Sequence, residues 1–349
     1  MLSKKTFAAA ALTQEDCRAF GYEADDRWAK LPGGWGWSEV AGVAADSQDR
    51  VFVFNRGAHP VMVFDRDGAF LFSWGEGLFV RPHGICIGPD DSVYCTDDSD
   101  HTVRKYTPDG RLLLTLGTTG KPSHTGATSM DFRTIVQAGP PFHYPTNLAL
   151  SPEGDLYVSD GYGNARVHKF SADGRLLFSW GEPGSGPGQF HVPHGIAVDR
   201  RGTVYVADRE NSRIQLFTSE GMYLGEWTDV ARPCQVFIDA GENVYVAELG
   251  FHAGRWPGTA APAADAPGGR VSIFDTDGRL RARWGGGRNP CAPGDFFAPH
   301  GICRDSRGDL YVAEVVLSAR GNRGLVPTTC HALQKFVCLK KVSGPFPTS

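Results

Sequence analysis

The tripeptide Pro-His-Gly occurs three times, at Pro82-His83-Gly84, Pro193-His194-Gly195 and Pro299-His300-Gly301. Each copy is followed by Ile and opens a similar stretch: RPHGICIGPDDSVYCTD, VPHGIAVDRRGTVYVAD and APHGICRDSRGDLYVAE. Three further stretches share the pattern without the histidine: EVAGVAADSQDRVFVFN, YPTNLALSPEGDLYVSD and RPCQVFIDAGENVYVAE. In chain order the histidine column reads Ala41, His83, Thr146, His194, Cys234, His300, so histidine occupies every second unit of six. If six such units close into a ring, alternate members are related by a three-fold rotation and three imidazoles meet at its axis. Three neutral imidazoles with one open position suit catalytic zinc, and iron(II) or manganese accept the same set. The alternative is a fold-forming role. Against it, the other three units use Ala, Thr and Cys in this column, so packing alone does not demand imidazole.

A second place for chemistry is the loop that follows the YVAD-like run. It reads FNRGAHPV, TDDSDHTV, SDGYGNARV, ADRENSRI, AELGFHAG and AEVVLSAR. The acid at its start recurs as Asp97, Asp160, Asp208, Glu248 and Glu314, which fits a loop-bracing hydrogen bond. Arg56, Tyr162 and Arg209 do not recur. A tyrosine hydroxyl and two guanidiniums beside a three-histidine metal would supply a proton-transfer group and anion-binding forks. His59, His101 and His252 occupy these same loops and read as plain surface residues, with a position facing the central cleft as the alternative.

The elements that would position these groups follow from the cleanest copy, residues 192–227. It holds four β-rich runs separated by Gly, Asp, Asn and Ser turns. The last two runs are joined by a hairpin signal that recurs as DRDGAF, TPDGRL, SADGRL, TSEGMY and DTDGRL. Four antiparallel strands per unit, repeated radially, predict an all-β, six-bladed propeller. Intervals between equivalent positions run from 40 to 66 residues. A blade needs about 40, so the excess marks loop insertions at 118–143, 182–191, 250–269, 286–298 and 315–331. The propeller is expected over 38–342, with 1–37 as a helical or edge-covering N-terminal segment and 343–349 as a tail. No fourth strand is evident after Val342, so the N-terminal segment is expected to supply or cover the last blade's edge.

Composition narrows the function classes. The net charge of −4 gives no reason to expect nucleic acid or an anionic membrane as partner, and no run of 18 apolar residues exists. At the N-terminus, TFAAAAL is short for a signal-peptide core and is followed at once by Gln14, Glu15 and Asp16. A cytoplasmic location is therefore favoured, with secretion or a periplasmic location as the alternative. Eight cysteines include no C-x-x-C pattern; Cys291, Cys330 and Cys338 lie in or near loops and can pair, with partners unassigned. Oligomeric state is not readable from the chain.

The repeat pattern resembles NHL-type repeats. PHGI in alternate units, FNRG at 54–57, SDGYGNARV at 159–167 and ADRENSRIQLF at 207–217 together resemble the peptidyl-α-hydroxyglycine α-amidating lyases, over residues from about 36 to 340. The resemblance implies a zinc held on the axis of a six-bladed propeller by His83, His194 and His300. It implies Tyr162 as catalytic tyrosine and Arg56 as active-site arginine, with Arg209 as a second candidate. It also implies cleavage of a C-terminal α-hydroxyglycine to a peptide amide and glyoxylate, so the partner would be a peptide C-terminus or a related small molecule. Three positions depart from the family pattern: Gly163 replaces a disulfide cysteine, Ala298 a methionine, and Gly301 an acid associated with calcium, which puts calcium in doubt. Two other readings compete. One is a metal-dependent amidase or lactonase on the same propeller, a group that usually holds calcium with Glu, Asn and Asp. The other is a non-enzymatic protein-binding scaffold, which needs no alternating histidines.

Overall fold

In the computed structural model the described residues are 14–253, 259, 263, 265–287, 289–320, 326, 327 and 330–339. Six four-stranded antiparallel sheets follow one another around a ring. Blade 1 runs from Val40–Ala45 to Phe70–Trp74, blade 2 from Pro82–Ile87 to Leu112–Gly117 and blade 3 from Pro145–Leu150 to Leu176–Trp180. Blade 4 runs from Pro193–Val198 to Tyr223–Trp227, and blade 5 from Pro233–Ile238 to Leu280–Gly285. Blade 6 takes three strands from the C-terminal region, Pro299–Arg304, Leu310–Glu314 and Leu333–Cys338. Its fourth strand is Tyr22–Asp25, paired antiparallel with Leu333–Cys338. The N-terminal segment also holds a short helix, Gln14–Ala19; the TFAAAAL stretch and the 343–349 tail lie outside the described residues.

The second strand of every blade, VFVFN, VYCTD, LYVSD, VYVAD, VYVAE and LYVAE, is buried throughout. Both faces of each inner sheet region press on neighbouring blades, which is why these runs are apolar without alternation. Neighbours are locked by a repeated aromatic step. The tryptophan ending one outer strand packs on the third-strand aromatic of the next blade. Trp74 meets Tyr106 at 5.0 Å between ring centroids, Trp180 meets Phe217 at 5.7 Å, Trp227 meets Phe274 at 5.6 Å and Trp284 meets Phe336 at 5.5 Å. Trp28, just after the N-terminal strand, meets Phe64 of blade 1 at 5.6 Å. The seam is therefore packed like the four tryptophan junctions, whereas the blade 2–3 junction uses Leu116 and Phe170.

The hairpin glycines are required by the same step. Gly110 has φ +91°, and a Cβ there would sit 2.7 Å from the Trp74 ring. Turn geometry and the close indole both exclude a side chain.

Candidate active site and metal centre

Each inner strand carries one irregularity, and it falls on the histidine column. Pairing shifts register between Pro82 and Gly84, Pro193 and Gly195, and Pro299 and Gly301, and likewise around Ala41, Thr146 and Cys234. The histidine is thus the extra residue of a β-bulge, a device that re-aims a side chain out of the sheet's normal alternation. The following glycine lets the next blade approach. A Cβ on Gly84 would meet the Thr146 carbonyl at 2.7 Å, and one on Gly195 would meet the Cys234 carbonyl at 2.5 Å.

Those same carbonyls orient the imidazoles. His83 Nδ1 lies 2.6 Å from Thr146 O, His194 Nδ1 2.8 Å from Cys234 O, and His300 Nδ1 2.6 Å from Ala41 O. A carbonyl only accepts, so each Nδ1 carries the proton and each Nε2 presents a lone pair. The three histidine-free blades therefore supply the groups that fix the tautomer. This is the outer-shell support typical of metal-ligating histidine.

The three rings form a nearly equilateral set, with centroids 4.7–4.8 Å apart, and all are buried. Their candidate ligand atoms lie within 4.8 Å of one another. Burial lowers all three pKa values well below the usual imidazole range. Neighbouring charge adds to this: His300 and His194 on His83, Arg209 and His300 on His194, and Arg56 on His300. Neutral imidazoles with free lone pairs are what metal binding needs.

Tyr162 completes the centre. Its hydroxyl lies 3.1 Å from His83 Nε2 and 2.9 Å from His194 Nε2, and accepts from Arg209 Nη1 at 3.2 Å. One hydroxyl proton serves two Nε2 lone pairs, so the point where these atoms meet is electron-rich. A cation there satisfies the surplus lone pairs, and the residues therefore fit a bound metal. Burial raises the Tyr162 pKa, while Arg209, Arg81 and Arg56 pull it down.

The insertions hold the polar groups in place. Within 118–143, the Thr125 hydroxyl donates to Gly163 O at 2.6 Å and Gly139 N donates to Asn164 Oδ1 at 3.1 Å, gripping the GYGN loop from both sides. Asn164 in turn donates to Asp160, the recurrent acid, at 2.8 Å. Helix Val316–Arg320 in 315–331 brings the Ser318 N–H to Glu39, whose other oxygen takes Arg56 Nη1. Arg56 Nε donates to Pro82 O at 2.8 Å. Its Nη2 is buried and has no partner among the described residues. Within 250–269, the Thr259 hydroxyl donates to Glu210 at 2.7 Å. Glu210 also takes Arg209 Nε at 2.8 Å and Arg232 Nη2 at 2.9 Å. Burial would raise its pKa, but Arg209 and Arg232 prevail and hold it at about 2.

All six residues singled out from sequence thus come together. Glu39, Arg81, Asp98, Glu210 and Arg232 belong to the same polar assembly and were missed. For Glu39, Arg81 and Arg232 the signal lay in the column just before the first inner-strand residue, which reads Glu39, Arg81, Tyr144, Val192, Arg232, Ala298. His101 is buried rather than on the surface, and accepts from Tyr144 N at 3.1 Å. Cys291 and Cys330 form a disulfide that ties the 286–298 and 315–331 insertions together.

Fold and site define a six-bladed propeller with an axial three-histidine, one-tyrosine centre. The NHL repeat family model matches residues 142–170 and 190–217. The chain is 34% identical over 312 residues to human NHL repeat-containing protein 3, covering 84% of this chain and 81% of that protein. It belongs to the NHL-repeat family of that protein. Peptidyl-α-hydroxyglycine α-amidating lyase 1 of Drosophila melanogaster is 33% identical over 208 residues, covering 53% of this chain and 36% of the lyase. Virginiamycin B lyase from Staphylococcus aureus shares the fold alone, with a TM-score of 0.55 at 15% identity, covering 90% of this chain and 99% of that one.

Proposed function

We propose that this chain is a zinc-dependent lyase that cleaves the N–C bond of a C-terminal α-hydroxyglycine. The products would be a peptide amide and glyoxylate. The observation that carries this reading is the Tyr162 hydroxyl, set against two convergent imidazoles and a guanidinium. His83, His194 and His300 would hold the zinc, which when bound supplies Lewis acidity and makes a nearby hydroxyl more acidic.

The chain's own groups account for the rest. The buried Nη2 of Arg56 is directed by two fixed bonds on its neighbours and grips the substrate carboxylate. Tyr162 takes the proton from the substrate hydroxyl. The oxygen's electron pair forms the glyoxylate carbonyl, the C–N bond breaks, and the amide nitrogen takes up that proton from Tyr162, which returns to phenolate. Arg209 stabilises the phenolate form in which Tyr162 takes that proton, and Glu210 and Arg232 hold Arg209 in place.

Metal analysis with a glyoxylate assay tests the reading. About one zinc per chain and glyoxylate release from hydroxyglycine peptides are expected. Alanine at His83, His194 or His300 should abolish both, while His101→Ala should keep the metal. Full metal content in the triple alanine variant would sink the assignment. Calcium alone would point instead to a lactonase-type hydrolase, and a metal-free protein to a binding scaffold. The Cys291–Cys330 disulfide supports an oxidising compartment for the working protein rather than the cytoplasm. Finding both thiols free in protein taken from its native compartment would overturn that placement.

A further inference from the structure

Two blades carry the same rim pairing with its polarity reversed. In blade 1 the loop residue is the cation and the rim residue the acid, Arg56 to Glu39. In blade 2 the rim residue is the cation and the loop residue the acid, Arg81 to Asp98. The exchange moves the guanidinium outward. Side-chain exposure rises from 2% for Arg209 to 10% for Arg56 and 25% for Arg81. Asp98 is fully buried and its second oxygen takes the Ser99 hydroxyl at 2.7 Å, so it turns no free edge toward the opening. Arg81 Nη1 faces Asp98 and, at 4.0 Å, Met130 Sδ of the 118–143 insertion. Its Nε and Nη2 have no hydrogen-bond partner among the described residues. Arg81 is also within electrostatic reach of Tyr162 and His83.

Among the described residues, the opposite side of the rim offers no exposed cation of this kind. There Leu249, Phe297, Ala298, Val315 and Val316 pack into a closed apolar cluster. Among the described residues of the assembly, Arg81 is thus the more exposed cation, on the blade 2 side and beyond the deeper arginine proposed to take the reacting carboxylate.

We infer that Arg81, held by Asp98, forms a second anion subsite at the mouth of the centre, selecting substrates with a carboxylate side chain on the residue before the reacting glycine. The inference rests on the reaction proposed above, because that reaction puts the peptide's amide side toward the mouth. Arg81 is a specificity-determining residue here and takes no part in bond breaking.

Unreactive peptides ending in Glu-Gly, Gln-Gly or Lys-Gly, titrated calorimetrically into the zinc-loaded protein, give the test. Glu-Gly should bind about 10-fold more tightly than Gln-Gly, with Lys-Gly weakest, and the preference should shrink as salt rises from 50 to 500 mM, marks of a charge contact near the surface. The Arg81→Gln/Asp98→Asn double variant keeps a side-chain hydrogen bond between the two positions and removes both charges. It should retain metal and melting temperature while the Glu/Gln ratio falls to about one. Equal binding of the three peptides by the wild type overturns the subsite, as does a Glu preference that survives in the double variant. The salt series on wild type decides the matter if the variant does not fold: a preference indifferent to salt also overturns it. Acid-selective binding without cleavage of hydroxyglycine peptides would uphold the subsite and remove the reaction.

Discussion

In the proposed reaction one hydroxyl and one guanidinium divide the work, and their removal should have different signatures. Tyr162→Phe keeps the aromatic ring that Arg209 covers at 5.2 Å and removes only the proton-transfer group. Turnover should fall by about 10²–10⁴ with metal content unchanged. Turnover near wild type would take Tyr162 out of the mechanism. Arg56→Ala should raise KM as well as lower kcat, because a carboxylate clamp acts on bound substrate and transition state alike. That variant also leaves Glu39 buried without its guanidinium, so its melting temperature should be measured beside its kinetics.

At the scale of the element, the informative unit is the loop that carries Tyr162. Its backbone is fixed from the 118–143 insertion by Thr125 and Gly139. Thr125→Val conserves shape and removes the bond to Gly163. We expect a loss of about 10-fold in kcat through misplacement of the hydroxyl, with little change in metal affinity; a kcat equal to wild type would show that the insertion is only a cover. The blades and the histidine column were legible in sequence because they repeat, and repetition converts weak local signals into a period. Arg56, Tyr162 and Arg209 were legible as departures from that period. The destination of the insertions was not, because loops without a period carry no register. Nor was the choice of Cys330 over Cys338 as partner of Cys291, which depends on where two insertions meet. Arg81 and Asp98 escaped because a lone charge on a propeller rim reads as solvated surface until its partner is located.

At the scale of the whole molecule, closure decides stability. Tyr22–Asp25 covers the edge of Leu333–Cys338, and Trp28 seals the seam against Phe64 and, at 5.0 Å, Tyr311. Its indole N–H donates to Arg66 O at 2.7 Å. Trp28→Ala should cost about 3–5 kcal/mol, read as a lowered melting temperature. Deletion of residues 1–26 should leave a chain that self-associates through the bared strand. A monomeric deletion variant with unaltered melting would refute the role of this strand. The same closure imposes an order of assembly. A ribosome releases Tyr22–Asp25 first and Leu333–Cys338 among the last of the ring's strands, so the early strand waits without its neighbour through most of translation. His300 finds the Ala41 carbonyl only across that late junction. A nascent chain therefore has no axial centre to load, so any metal the three histidines take would mark completed synthesis.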